Sequence, residues 1–216
     1  MEVVILPSPA DVGRVVADAI ALVVCQRAHP VLGLATGSSP VPVYDELTAR
    51  YSAGVLSFAA AKAFLLDEYV GLPPGHPQSY ASYITSVLTS RVDFAPEAVQ
   101  GPDGSAGDLV AAAAAYEAAL AAAGGVDVQL LGIGADGHIG FNEPGSSLAS
   151  RTRLKTLTQQ TRVDNARFFS SLDEVPRHVI TQGVGTILDA RHLVLVASGT
   201  AKAAAVAAAV EGPVTA

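Results

Sequence analysis

Two kinds of apolar pattern alternate along the chain. One is the short, mostly apolar run, found at Val3–Leu6, Val31–Ala35, Lys62–Leu66, Val126–Ile133 and His192–Ala197, and it predicts strands. The other repeats every three or four positions and predicts helices. Over Ala10–Arg27 this spacing is carried by Val12, Val15, Val16, Ala19, Ile20 and Val23. Further helices are predicted from Pro40 to Tyr51 and over Pro77–Thr89, Asp108–Ala123, Thr161–Phe169, Val175–Leu188 and Thr200–Val210. Pro40 suits a first helical turn, and Gly124-Gly125 a helix end. Arg151–Thr158 alternates like a half-buried strand, and Phe94–Gly107, rich in Pro, Gly and Asp, reads as loop.

Strands alternating with helices place the chain in the α/β class. The expected architecture is a three-layer, mostly parallel, Rossmann-like sheet with helices on both faces, as one domain over residues 1–216. In such sheets ligands bind outside the carboxyl ends of the strands. Four strand ends carry polar or glycine-rich loops: Thr36–Ser39, Asp67-Glu68, Gly134–His138 and Ser198-Gly199-Thr200. A parallel sheet opens all four on one edge.

Composition narrows the partners. The formal charge is −7, which argues against nucleic acid, since a phosphate backbone needs a basic face. One small phosphate can still bind where a few cations converge. The longest apolar run, around Val110–Ala123, carries Tyr116 and Glu117 and is too short for a membrane span. The single cysteine, Cys25, lies in an apolar helical stretch and reads as a buried thiol; no disulfide can form within the chain. With no basic, apolar leader at Met1–Ile5, a cytoplasmic location is expected.

The loops carry the chemistry. Thr36-Gly37-Ser38-Ser39 joins a strand to a helix whose free N–H groups and dipole attract an anion; an ordinary serine cap is the even alternative. Lys202 sits in the first turn of the last helix, against the dipole, where a cation makes sense beside a bound anion, and Arg167 can supply a second one. For each, a solvated surface charge is the alternative. Asp67 and Glu68 follow the apolar run Ala63–Leu66, so one of them can be a desolvated base; a helix or turn cap competes. The strongest stretch runs from Asp136 to Pro144. It offers a histidine, His138, with Asp136 and Glu143 near enough in sequence to orient it. These three are also metal-ligand types, but no second histidine is placed to join them, as His76, His178 and His192 lie elsewhere.

These segments resemble the glucosamine-6-phosphate deaminase family. The resemblance rests on Leu32–Pro40, on Leu66–Leu72 with His76–Tyr80, on Gly132–Pro144 continuing through Arg153, and on Gly183–Ala190, all in the family's order. It implies conversion of glucosamine 6-phosphate and water to fructose 6-phosphate and ammonium, with no organic cofactor and no catalytic metal. Asp67 would then move a proton between C2 and C1. His138, supported by Asp136 and Glu143, would open the sugar ring. Thr36, Gly37, Ser38, Ser39, Arg167 and Lys202 would hold the phosphate. Some members are hexamers activated by N-acetylglucosamine 6-phosphate at a subunit interface, where Ser146, Arg153 and Lys155 match, so a homo-oligomer is one expectation; a plain basic strand is the other. Members usually continue past the final helix, so by that pattern the sequence stops short, at Glu211–Ala216.

Two other readings compete. The 6-phosphogluconolactonases share the fold and a Gly-x-Asp-Gly-His loop, but their pattern continues differently from Phe141-Asn142-Glu143-Pro144 and from Asp67-Glu68-Tyr69. A non-catalytic sugar-phosphate sensor would bind without turnover.

Overall fold

The computed structural model describes residues 1–213; Val214–Ala216, the end of the stretch said above to stop short, lie outside the described residues. Its centre is a five-stranded parallel sheet built from β1 (Val31–Leu34), β2 (Lys62–Leu65), β4 (Val99–Gln100), β5 (Val128–Leu131) and β8 (His192–Leu195). The strand order is β4-β2-β1-β5-β8. Helices α1 (Pro9–Gln26), α2 (Val41–Ser52), α3 (Tyr80–Val87), α4 (Leu109–Ala122), α5 (Gln159–Asn165), α6 (Val184–Leu188) and α7 (Ala203–Glu211) complete the α/β arrangement. All four residues of β1 and of β5 are buried, Gln129 among them, as strands of a parallel sheet covered on both faces should be.

The chain order fixes where a ligand can sit. After β1 the sheet grows outward through β2 to β4, then returns to the other side of β1 for β5 and β8. The carboxyl ends of β1 and β5 therefore part at a topological switch point, the crevice where open α/β sheets bind ligands. Tyr44 of α2 secures the floor of this crevice. Its buried hydroxyl accepts from Ala35 N at 3.0 Å and donates to Ala35 O at 2.7 Å.

Beside this sheet lies a three-stranded antiparallel one, β3 (Asp67–Tyr69), β7 (His178–Thr181) and β6 (Arg153–Thr156), in the order β3-β7-β6. It corrects two sequence expectations. Asp67-Glu68 is not a loop after β2 but the start of β3, so the chain passes from one sheet to the other at Leu66. The predicted helix Val175–Leu188 is β7 followed by the five-residue α6, because Val179 and Ile180 are wholly buried between β3 and β6.

Smaller differences have local causes. Val3–Leu6 is not a strand: Val3, Val4 and Ile5 are exposed, and no strand among the described residues pairs with them. The predicted loop Phe94–Gly107 contains the edge strand β4. Cys25 is exposed rather than buried, because the covered stripe of α1 runs through Val16, Ala17, Ile20 and Val24, one step away around the helix. No helix among the described residues is long and apolar enough to cross a membrane.

Candidate functional site

A cleft of about 470 Å³ opens at the switch point. It brings together Thr36–Ser39 after β1, Asp67 at the seam of the two sheets, Gly132–Asp136 and His138 after β5, and Arg167 and Lys202. The volume lies within the usual range for small-molecule sites. Of the four strand ends expected on one edge, those after β1, β2 and β5 thus reach one cavity; after β8 only Lys202, beyond the Ser198-Gly199-Thr200 loop, does so.

Asp67 is the most perturbed carboxyl of the site. It is only 4% exposed, and among the described residues no donor reaches its carboxylate. Burial first, and the neighbouring Glu68 charge second, push its pKa up to about 8. Glu68 has a different task. Its carboxylate accepts from Tyr69 N at 2.8 Å, Tyr80 N at 3.0 Å and Ala81 N at 2.9 Å, so it holds the first turn of α3. The two carboxylates therefore divide the roles left open by the sequence: one is free at the cleft, the other is a cap. Glu68→Ala should cost about 3 kcal/mol in urea denaturation by leaving these amides, one buried and two partly buried, without their acceptor, and a change under about 1 kcal/mol would refute the capping role.

The loop after β5 is a tight structure around His138. Gly134 N donates to His138 O at 2.8 Å, and Gly137 N to Gly134 O at 3.2 Å. His138 N donates to Asp136 Oδ1 at 3.2 Å. The ring Nδ1 stands 2.7 Å from the same oxygen, off the line of a ring N–H, so the pairing is electrostatic rather than an aligned hydrogen bond. Partial burial pushes the Asp136 carboxyl up, but the His138 N–H, the His138 ring and the Glu143 side chain outweigh it and hold Asp136 below the ordinary carboxylate range. Glu143 stands behind this pair rather than on the cleft wall, and Thr161 Oγ1 donates to it at 3.1 Å. A Cβ on Gly134 would overlap both the His138 ring and the Asp136 carboxylate. Gly134→Ala should therefore lower kcat at least about tenfold while the melting temperature stays nearly unchanged, as measured by paired kinetics and thermal melts.

Asn142 was not singled out in the sequence, yet it pins this loop. Its Nδ2 donates to Ile139 O at 2.9 Å and to Gln182 O at 2.8 Å, tying the loop to the end of β7. Only the Asn between Phe141 and Glu143 hinted at a role, and an amide in a turn is too common to read.

The phosphate candidates face the same cavity. Gly37 turns with φ 100°, a conformation glycine adopts without strain, and no side chain caps α2. The free helix amides expected from the sequence are not there: Val41 N donates to Ser38 O, Val43 N to Pro40 O, and Pro40 and Pro42 have no N–H, so the groups left for an anion are those of the Thr36–Ser39 turn itself. Arg167, in the turn Ala166–Phe168, lies 4.7 Å over the Phe168 ring. Lys202 closes the turn Thr200–Lys202, just before α7, and so precedes the last helix rather than lying within it. Among the described residues neither cation has a carboxylate partner, although the chain carries an excess of acid. An anion in the cleft supplies what both lack.

The candidate effector residues are apart from this cleft. Arg153 and Lys155 share one face of β6, and no hydrogen bond among the described residues links Ser146 to either. Asp136, His138 and Glu143 each offer a ligand atom, all within 4.8 Å of one another. These are metal-ligand types, but with one histidine and no thiolate they lack the donor set of a structural zinc site.

Comparison with known proteins agrees with the geometry. The family described as glucosamine-6-phosphate isomerases/6-phosphogluconolactonase matches residues 9–216. A relative from Mycolicibacterium smegmatis, named glucosamine-6-phosphate deaminase, is 64% identical over 217 residues, covering 100% of this chain and 83% of its own. The solved structure of a monomeric glucosamine-6-phosphate deaminase superposes with a TM-score of 0.96 at 40% identity, over 100% of this chain and 89% of that one. A 6-phosphogluconolactonase from Thermotoga maritima shares the fold alone, with a TM-score of 0.74 at 19% identity over 94% of this chain and 86% of that one.

Proposed function

Because the chain belongs to the glucosamine-6-phosphate isomerase/6-phosphogluconolactonase family, we propose that its cleft converts glucosamine 6-phosphate and water to fructose 6-phosphate and ammonium, a step of amino-sugar breakdown. The observation that carries the mechanism is the placement of a buried carboxyl, Asp67, in the same cavity as the His138–Asp136 pair and two cations, the carboxyl without a donor and the cations without a carboxylate partner among the described residues.

The phosphate is held by the Thr36–Ser39 turn, Arg167 and Lys202. His138 moves a proton to or from the ring oxygen and opens the pyranose, while Asp136 and Glu143 hold the imidazole and balance its charge. In the open chain, ionised Asp67 takes the proton from C2, the electron pair left behind forms the C1–C2 double bond, and the C1 carbonyl pair moves to O1, which takes a proton from water to give an enolamine. Asp67 returns the proton to C1. The resulting C2 imine adds water, the C–N bond breaks, and ammonium leaves. A carboxyl with its pKa raised toward 8 is a far stronger base, once ionised, than an ordinary aspartate.

Loss of one charge-assisted phosphate contact costs about 1.5–3 kcal/mol. Arg167→Ala and Lys202→Ala should each raise KM for glucosamine 6-phosphate about tenfold or more, with a smaller change in kcat. An unchanged KM in both would remove them from the phosphate site. The purified chain, given 6-phosphogluconolactone and glucosamine 6-phosphate in parallel, should consume the amino sugar; consumption of the lactone alone would reverse the assignment. Phosphate-dependent binding with turnover of neither would leave a sensor.

The remaining features belong to the same reading. A single exposed cysteine and a phosphorylated metabolite as substrate suit the cytoplasm. Arg153 and Lys155, with Ser146, are the candidate site for a phosphorylated effector between copies of the chain.

A further inference from the structure

Beyond the family's candidate groups, one short helix touches both halves of the site. α5 spans Gln159–Asn165, and none of its residues is buried, so the core does not fix its position. A helix of this length is marginal alone. Thr158, Thr161 and Arg162 anchor it. Thr158 caps it by accepting from Thr161 N at 3.1 Å. Arg162 Nη2 donates to Leu172 O at 2.7 Å and to Val175 O at 3.3 Å on the outer side. Thr161 Oγ1 donates to Glu143 Oε1 at 3.1 Å on the inner side. The turn that follows α5 carries Arg167, the candidate phosphate cation.

The hydroxyl chemistry gives this chain of contacts a direction. Thr158 Oγ1 and Thr161 Oγ1 lie 2.7 Å apart. Thr161 has one hydroxyl proton and gives it to Glu143, so Thr158 must be the donor of the shared bond. The hydrogen bonds therefore run Thr158 to Thr161 to Glu143, and each polarises the next. Glu143 is a long, flexible side chain, whereas the β-branched Thr161 is stiff at χ1.

We propose that Thr161 is a positioning residue that links the seating of phosphate on Arg167 to the orientation of Glu143, and through Asp136 to His138. When the phosphate draws Arg167 into the cleft, α5 settles with it. Thr161 then fixes Glu143 in the geometry that supports the imidazole. Ring opening is thereby favoured only when the phosphate end of the sugar is in place. This role rests on the deaminase reading for its kinetic consequence, but not for its structural one.

The test uses Thr161→Val, which keeps the shape and removes the donor, and Thr161→Ser, which keeps the donor. Thr161→Val should lower kcat about tenfold with KM changed less than about twofold, and Thr161→Ser should stay within about twofold of wild type. The second arm needs no turnover. Inorganic phosphate added to the substrate-free protein should shift the His138 Cε1–H NMR resonance in the wild type and in Thr161→Ser, but not in Thr161→Val. Equal shifts in all three proteins, or none in the wild type, would overturn the coupling. So would a serine variant as impaired as the valine one, which would make the residue merely structural. If the wild type released no ammonium, the resonance arm alone would decide.

Discussion

Asp67→Asn should abolish turnover of glucosamine 6-phosphate and, in the same protein, raise thermal stability at pH 8. The first effect follows from the base itself: an amide cannot take the C2 proton, and loss of a positioned general base costs about 10²–10⁴-fold. The second follows from burial. The Asp67 carboxyl titrates from 3.8 in the unfolded chain to about 8 in the fold. Between these values the native state holds a proton that the unfolded chain has released. Stability from this group is therefore full below the unfolded value and is lost as pH rises through that window, by about 1.4 kcal/mol per pH unit. Asparagine stays neutral throughout. The two proteins should melt together near pH 4 and separate as pH rises, by roughly 5 °C or more at pH 8. Coincident melting curves across that range would mean that the carboxyl is solvated and that the proposed base is an ordinary aspartate. Phosphate-dependent binding should survive the substitution, since Asp67 is not among the phosphate contacts.

His138→Gln should separate ring opening from the later proton transfer. Turnover of the closed pyranose should fall about 10²-fold or more. An analogue without the C4 and C5 hydroxyls can close neither a five- nor a six-membered ring and does not need that step, so its turnover should fall far less. Equal losses on both substrates would take His138 out of ring opening and place it in a step common to both. The contrast is informative because Asp67 and His138 approach the cavity from different elements, the seam of the sheets and the loop after β5.

The parallel sheet was legible in the sequence for a plain physical reason. Strands covered on both faces are mostly apolar, and β1, β2 and β5 announce themselves as such runs; the edge strand β8 has the same pattern although three of its four residues are exposed. β7 obeys the same rule but was hidden. Val175, Val179, Ile180, Val184, Ile187 and Leu188 also fit helical spacing, and a short buried strand is not distinguishable from a helix by spacing alone. The pairing of β3 with β7 could not be seen either, since it joins residues more than a hundred positions apart. Val3–Leu6 illustrates the opposite failure: β-branched residues form a strand only where a sheet edge accepts them.

The site divides in a similar way. The strand-end loops and His138 were readable because chemistry-bearing residues at those ends have few other uses. The sorting of Asp67 from Glu68 was not readable. It depends on where three amides of Tyr69, Tyr80 and Ala81 point, which only the fold decides. Thr161 and Asn142 were missed because a threonine in a first helical turn and an asparagine in a tight loop occur everywhere. Their meaning here comes from the partners they reach, Glu143 for one and the carbonyls of Ile139 and Gln182 for the other.

The most direct test is product analysis with the purified chain and glucosamine 6-phosphate as sole substrate. The expected result is ammonium and fructose 6-phosphate in equal amounts, with neither formed by Asp67→Asn. Ammonium without fructose 6-phosphate, or equal product formation by the wild type and the variant, would contradict it.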